Sequence, residues 1–210
     1  MQTLNYLIGM TAIAAFAMSG VLAVARKDMD IVSLAFMGVV TALGGGTLRD
    51  LLLNTSVFWV VDFNYVWIAI GASLLAFFLE KYLRDENVWA AILYLDAFGI
   101  ALFGVQSIDK ALLLGFSAPV ALVMATITGI GGGLIRDVLG QRPNLLLSRE
   151  IYATTIISGS LVYLALLGLS GKTLLTSMVG VAFTFLFRAL AIYRHWRMPK
   201  WLTLRSHLNG

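Results

Sequence analysis

The sequence predicts an all-α integral membrane protein with seven transmembrane helices, built as an inverted 3+3 repeat plus one. Three observations predict it. The 210 residues are 60% hydrophobic and only 12% charged, with a mean hydropathy of +0.88, whereas a soluble domain carries about 25% charged residues. Apolar runs of roughly 20 residues recur, each matching a bilayer core of about 30 Å. They do not alternate as the roughly 10-residue strands of a membrane barrel would. Finally, Gly-Gly-Gly-x-x-Arg-Asp occurs twice, as Gly44–Asp50 and Gly131–Asp137, 87 residues apart.

Taken in order, the spans cover about 5–25, 31–53, 64–81, 88–106, 111–140, 151–169 and 173–193. Small residues around Ala15-Phe16-Ala17 give the first span a superficial likeness to a signal peptide. No Lys or Arg precedes it, however, and Arg26 and Lys27 follow it, the reverse of a cleaved signal. The second and fifth spans carry the glycine runs. Glycine costs about 1 kcal/mol relative to alanine inside a helix, so both helices are expected to break there. The fourth span holds Asp96 at mid-membrane. The whole is a single transmembrane domain over 1–193, with repeat 1 at about 5–82, repeat 2 at about 88–169 and a seventh helix at about 173–193. A basic tail, 194–210, follows.

The connections fall alternately on two sides. One side collects Arg26, Lys27, Lys81, Arg84, Arg142, Arg149, Arg194, Arg197, Lys200 and Arg205; the other has Lys110 and Lys172. Arg49, Arg136 and Arg188 lie at membrane depth. Ten against two places the N-terminus outside and the C-terminus in the cytoplasm under the positive-inside rule. The net charge of +4 therefore reads as a juxtamembrane tail touching anionic lipid rather than a nucleic-acid surface.

Sliding the chain on itself by 87 residues pairs Ile13 with Ile100, Phe16 with Phe103 and Thr41 with Thr128. It also pairs both glycine runs and both Arg-Asp pairs, then Tyr65 with Tyr152 and Ser73 with Ser160, without a gap. Three spans per repeat is an odd number, so the halves face opposite sides, around an axis in the membrane plane.

In such folds the substrate or ion site lies near the midplane, where broken helices meet. Gly44, Gly45, Gly46, Gly131, Gly132 and Gly133 are thus expected to bend two helices and turn carbonyls toward a path; their other reading is close helix packing. Arg49-Asp50 and Arg136-Asp137 point about 100° apart on a helix. Each residue is expected to pair elsewhere, Arg of one half with Asp of the other or with carbonyls, as outer and inner constrictions or latches. Alternatively each Arg snorkels to its nearer interface. Asp96, whose repeat mate is Gly9, is a candidate cation site, proton-linked switch or bundling hydrogen bond. Thr41, Thr128, Ser19 and Gln106 are weaker candidates for lining a wet path.

Other chemistries find no footing. Without cysteine there is no disulfide framework or thiolate metal site, and His195 and His207 lack ligand companions. The glycine runs lack the Lys-Ser/Thr of a phosphate loop, and no nucleophile–base pairing points to an enzyme or a cofactor. Asn54-Thr55-Ser56 matches the glycosylation pattern.

The doubled motif, with Phe16-Ala17-Met18-Ser19-Gly20 in span 1 and Leu95-Asp96-Ala97-Phe98-Gly99 in span 4, resembles the prokaryotic branch of the TRIC family, the trimeric intracellular cation channels. That branch is also catalogued as a glycine-transporter-like family of bacterial inner-membrane proteins. The resemblance covers about residues 5–193. It implies seven spans, a homotrimer, one ion path inside each protomer, kinks at Gly44–Gly46 and Gly131–Gly133, and permeation by monovalent cations, K+ over divalent ions, with Na+ as a second candidate. The chain departs from the family pattern at Gly9, where an acid matching Asp96 is common. Two functions follow as expectations: a potassium-permeable channel, or a secondary transporter of a small amino acid such as glycine.

Overall fold

The computed structural model describes residues 2–25, 27–82 and 85–199, with side chains of 2–5 and 85–86 left aside. Eight helices follow one another: α1 (Gln2–Val24), α2 (Ile31–Leu52), α3 (Phe58–Val61), α4 (Asn64–Glu80), α5 (Asp85–Leu113), α6 (Ala118–Leu139), α7 (Ala153–Ser170) and α8 (Leu174–Tyr193). Among the described residues there is no strand, only an isolated bridge between Glu150 and Arg197. Six helices are long and apolar enough to cross a membrane; α4, at 17 residues, is a shorter apolar helix. Arg26, Arg84, Lys200, Arg205 and His207, part of the sequence argument about sidedness and metal ligands, lie outside the described residues, as does the tail beyond 199.

Local chemistry sets the helix ends. The Asp30 carboxylate caps α2 by accepting from the Val32 and Ser33 N–H groups at 2.9 Å and the Ser33 hydroxyl at 2.7 Å. That hydroxyl, foremost, holds Asp30 below the usual carboxylate range, so the cap stays ionised at moderately acid pH. Thr173 and Thr176 form a capping box on α8. α2 and α6 end alike. Asn54 and its repeat mate Gln141 take positive φ, and the N–H groups of Thr55 and Arg142 return to Asp50 O and Asp137 O at 2.9 Å. This is the left-handed helix stop usually assigned to glycine, and it is the structural work of Asn54.

Several expected boundaries move. α5 runs on to Leu113, so 111–117 is the end of that helix and a turn rather than the start of the fifth span. The short α3 was not anticipated. Most consequentially, the expected breaks are absent: α2 passes through Gly44–Gly46 and α6 through Gly131–Gly133 without interruption. The hydrogen-bond ladder of a helix needs no side chains. What the missing side chains permit instead is contact between the two backbones.

The contact is reciprocal. A Cβ on Gly45 would overlap the Thr128 carbonyl oxygen, and one on Gly132 would stand 2.5 Å from the Thr41 carbonyl oxygen; a Cβ on Gly44 would overlap Ile135, and one on Gly131 would stand 3.2 Å from Leu48. Thr41 and Thr128, and Leu48 and Ile135, are repeat mates. Along these pairs the residue number rises on α2 as it falls on α6, so the helices cross antiparallel, about a local twofold through the glycines and perpendicular to them. Phe16 on α1 and its mate Phe103 on α5 stack across the same axis, centroids 5.7 Å apart. α1 and α5 form the buried centre, with Ala12, Ile13, Ala17, Ile100 and Ala101 sealed from solvent. α8 lies outside this symmetry, against α5 and α7.

Gly45→Ala and Gly132→Ala should each destabilise the fold by about 1–3 kcal/mol through overpacking against backbone that cannot move aside. Gly71→Ala, which meets nothing within 4 Å, should be neutral or stabilising. Thermal unfolding of the three variants in one detergent checks the contrast.

Candidate functional site

Beyond each glycine run, the Arg-Asp pair of the motif turns inward. Arg49 is 5% exposed and Asp50 0%; Arg136 is 0% and Asp137 2%. Adjacent residues on a helix diverge, and the sequence reading expected them to pair elsewhere. Arg136 and Asp50 do find partners elsewhere, but each arginine also curls back onto its own neighbour, Nε to Oδ1 at 2.7 Å for Arg49–Asp50 and 2.8 Å for Arg136–Asp137. The long guanidinium stem overcomes the divergence of the Cα–Cβ bonds. The second carboxylate oxygen accepts a backbone N–H eight residues on, from Phe58 at 2.9 Å and its mate Leu145 at 3.2 Å. The free guanidinium arm crosses to the other half: Arg49 Nη1 to Ser107 Oγ at 3.4 Å, Arg136 Nη1 to Ser19 Oγ at 3.3 Å. Burying charge without such saturation is costly.

The third charge breaks the symmetry. At the first pair Lys110 Nζ meets Asp50 Oδ1 at 2.7 Å. At the second, Asp96 Oδ1 accepts from Arg136 Nη1 at 2.7 Å. The Arg49 cluster therefore holds two cations and one carboxylate, and the Arg136 cluster two carboxylates and one cation. Asp96 Oδ2, Arg136 Nη2 and Tyr152 Oη are buried without a hydrogen-bond partner. The Tyr152 hydroxyl, the Asp96 carboxylate and Arg136 Nη2 gather over Gly133, where an added Cβ would stand 2.8 Å from Tyr152 Oη, 2.9 Å from Asp96 Oδ1 and 3.4 Å from Arg136 Nη2.

Access differs as sharply as charge. A cleft of about 340 Å³ opens onto the first cluster, lined by Tyr6, Arg49, Phe58, Tyr65, Gln106 and Lys110 among others. At the opposite end two cavities of about 400 and 330 Å³ stop short, lined by residues such as Glu150 and Trp196 or Gly140 and Arg142. Neither is lined by Arg136, Asp96, Asp137 or Tyr152.

The structure thus brings Arg49 with Asp50, and Asp96 with Arg136, Asp137 and Ser19; the six glycines sit between the clusters. Gln106 faces the open cleft, its side chain 3.1 Å from where a Cβ on Gly9 would be. The hydroxyls of Thr41 and Thr128 return to their own helices, donating to Met37 O at 2.7 Å and Met124 O at 2.6 Å. Among the described His, Cys, Asp and Glu residues no group of three could hold a metal ion. Sequence reasoning missed Lys110, counted as a loop charge, and Ser107 and Tyr152. Only the last carried a signal, as the repeat mate of Tyr65.

The family profile described as Glycine transporter matches twice, over residues 6–81 and 93–168, the same 87-residue register. A UPF0126 membrane protein of Vibrio cholerae is 39% identical over 199 residues, covering 94% of this chain and 82% of that protein. The UPF0126 inner membrane protein YadS of Escherichia coli K12 is 38% identical over 198 residues, covering 93% and 95%. In fold, the TRIC trimeric intracellular cation channel orthologue from Rhodobacter sphaeroides superposes with a TM-score of 0.87 at 34% identity, covering 92% of this chain and all of that one. The chain belongs to the family of this profile, and its fold is that of the prokaryotic TRIC channels.

Arg136→Gln should strand two buried carboxylates and cost about 3–5 kcal/mol. Arg49→Gln should cost less, because Lys110 still holds Asp50. Comparing melting temperatures and the yield of folded protein for the two variants measures the difference.

Proposed function

From that family membership we propose that the chain is a cation channel permeable to K+, with Na+ as a second permeant ion. Each protomer of a homotrimer carries its own path between α2 and α6. The observation that carries this reading is the pair of mirrored charge clusters at opposite ends of one glycine crossing, one open to a cleft and one sealed. A path closed at a single end is compatible with a gated pore. The likeness to solved structures described as cation channels supports the same reading, and leaves the glycine carrier with less support.

In this reading the chain spans the inner membrane seven times, α4 included, with the N-terminus outside and the basic tail in the cytoplasm, near anionic lipid. The Arg49–Asp50–Lys110 cluster then faces outward and the Arg136–Asp96–Asp137 cluster inward. Conduction requires the inner cluster to separate. Its carboxylates would draw a cation toward the sealed end, where Asp96 Oδ2 already lacks a partner. The glycine crossing is the rigid fulcrum rather than a flexible kink.

Purified protein in planar bilayers should show unitary K+ currents, and complete absence of unitary conductance across a range of voltages would sink the proposal. Gly44→Ala, whose added methyl meets only the mobile tip of Ile135, should conduct like wild type. Gly131→Ala, which meets the Gly45 backbone at 3.1 Å, should conduct less.

A further inference from the structure

The last helix, α8, has no repeat mate, yet it carries one of the most deeply buried charged side chains among the described residues. Arg188 is 1% exposed. Its Nη1 donates to Ile151 O at 2.9 Å and its Nη2 to Glu150 Oε2 at 3.1 Å. Its guanidinium carbon lies 4.9 Å from the centroid of the Tyr152 ring. Three consecutive residues ahead of α7 are thus gripped by one side chain. Arginine suits this task because its planar fork hydrogen-bonds at its edge while its face stacks on an aromatic ring.

Tyr152 is the residue whose hydroxyl stands with Asp96 Oδ1 over Gly133, covering the buried Arg136 cluster. The comparison with the other half is internal to the molecule. There the mate of Tyr152 is Tyr65, which packs edge-on against Phe58 at 4.8 Å and Tyr6 at 5.7 Å. Among the described residues no helix outside the repeat presents a cation to it, and Tyr65 lines an open cleft. Beyond the exchange of Lys110 for Asp96, the two ends differ in this added arginine, and the end that has it is the sealed one.

We infer that Arg188 is a positioning residue: it clamps Tyr152 over the Asp96–Arg136 pair and so keeps the Glu150 end of the path shut. This rests on the channel reading above only in calling that end a gate. The clamp also reaches the segment after α8, since Glu150 bridges Arg197 and Met198 N–H bonds Arg149 O at 2.7 Å. Movement of that segment would be passed to Tyr152 through Glu150 and Arg188.

The test compares Arg188→Gln, Tyr152→Ala and the double variant in bilayers. Each single change should raise open probability by about tenfold while leaving unitary conductance unchanged, and the double should add nothing further, since one clamp is removed in all three. Tyr152→Phe, which keeps the stacked ring, should stay mostly shut, and Arg188→Lys should fall between wild type and Arg188→Gln. Independent effects in the double, or an unchanged open probability in Arg188→Gln beside a raised one in Tyr152→Ala, would overturn the inference. A second readout does not need conduction. The chain has no cysteine, so Ser19→Cys alone reports water reaching the buried cluster from the Glu150 side. Its reaction with a membrane-impermeant thiol reagent should accelerate when Arg188→Gln is added; an unchanged rate would equally overturn the clamp. If the wild type gives no currents, the channel reading fails and the thiol rates still decide whether Arg188 seals this end.

Discussion

The close passage of two helix backbones at Gly45 and Gly132 is the constraint on which the remaining architecture depends. Membrane helices gain little from the hydrophobic effect in associating, because lipid is as apolar as leucine; they associate through close packing and hydrogen bonds. Here the packing is at its limit, since a single added carbon on either glycine would strike a carbonyl of the partner. Everything on the axis follows from that distance. The stacked Phe16 and Phe103, the mirrored helix stops at Asn54 and Gln141, and the two inward-turned arginines each hold a position relative to the crossing.

The crossing also explains why the motif places its charges where it does. Arg49 and Arg136 stand about one turn beyond the contact. There each arginine finds its own Asp, then a serine of the opposite half. The halves are thereby joined at three levels: backbone at the centre and a charge cluster toward each end. The same frame, filled with Lys110 on one side and Asp96 on the other, yields clusters of opposite net sign from a nearly symmetric scaffold.

Much of this was legible in the sequence. The 87-residue register, the apolar spans and the intramembrane charges rest on periodicity and cost, which a single chain displays. Asp96 stood out because an unpaired carboxylate in lipid is expensive. The glycine runs were misjudged because helix propensity is a local quantity, and it took the tertiary contact to show that the missing side chains make room for a neighbour while the helix continues. The pairing of each Arg with its own Asp escaped the sequence for a related reason: the direction of a Cα–Cβ bond does not limit where four further bonds can carry a guanidinium. Lys110 and Arg188 were hidden because their partners, Asp50 and the Glu150–Tyr152 segment, lie 60 and about 37 residues away.

The antiparallel crossing has a consequence for how such a molecule can vary. Two separate copies meeting at this surface would form an isologous contact, in which every substitution appears on both sides at once. A carboxylate introduced to hold one arginine would appear beside the other as well, and a lysine likewise. Joined in one polypeptide, the two copies of the surface are decoupled. Gly9 opposite Asp96, and Ala23 opposite Lys110, are the marks of that freedom: one chain holds a positive and a negative cluster on a frame that a dimer of identical subunits would have to fill twice with the same sign.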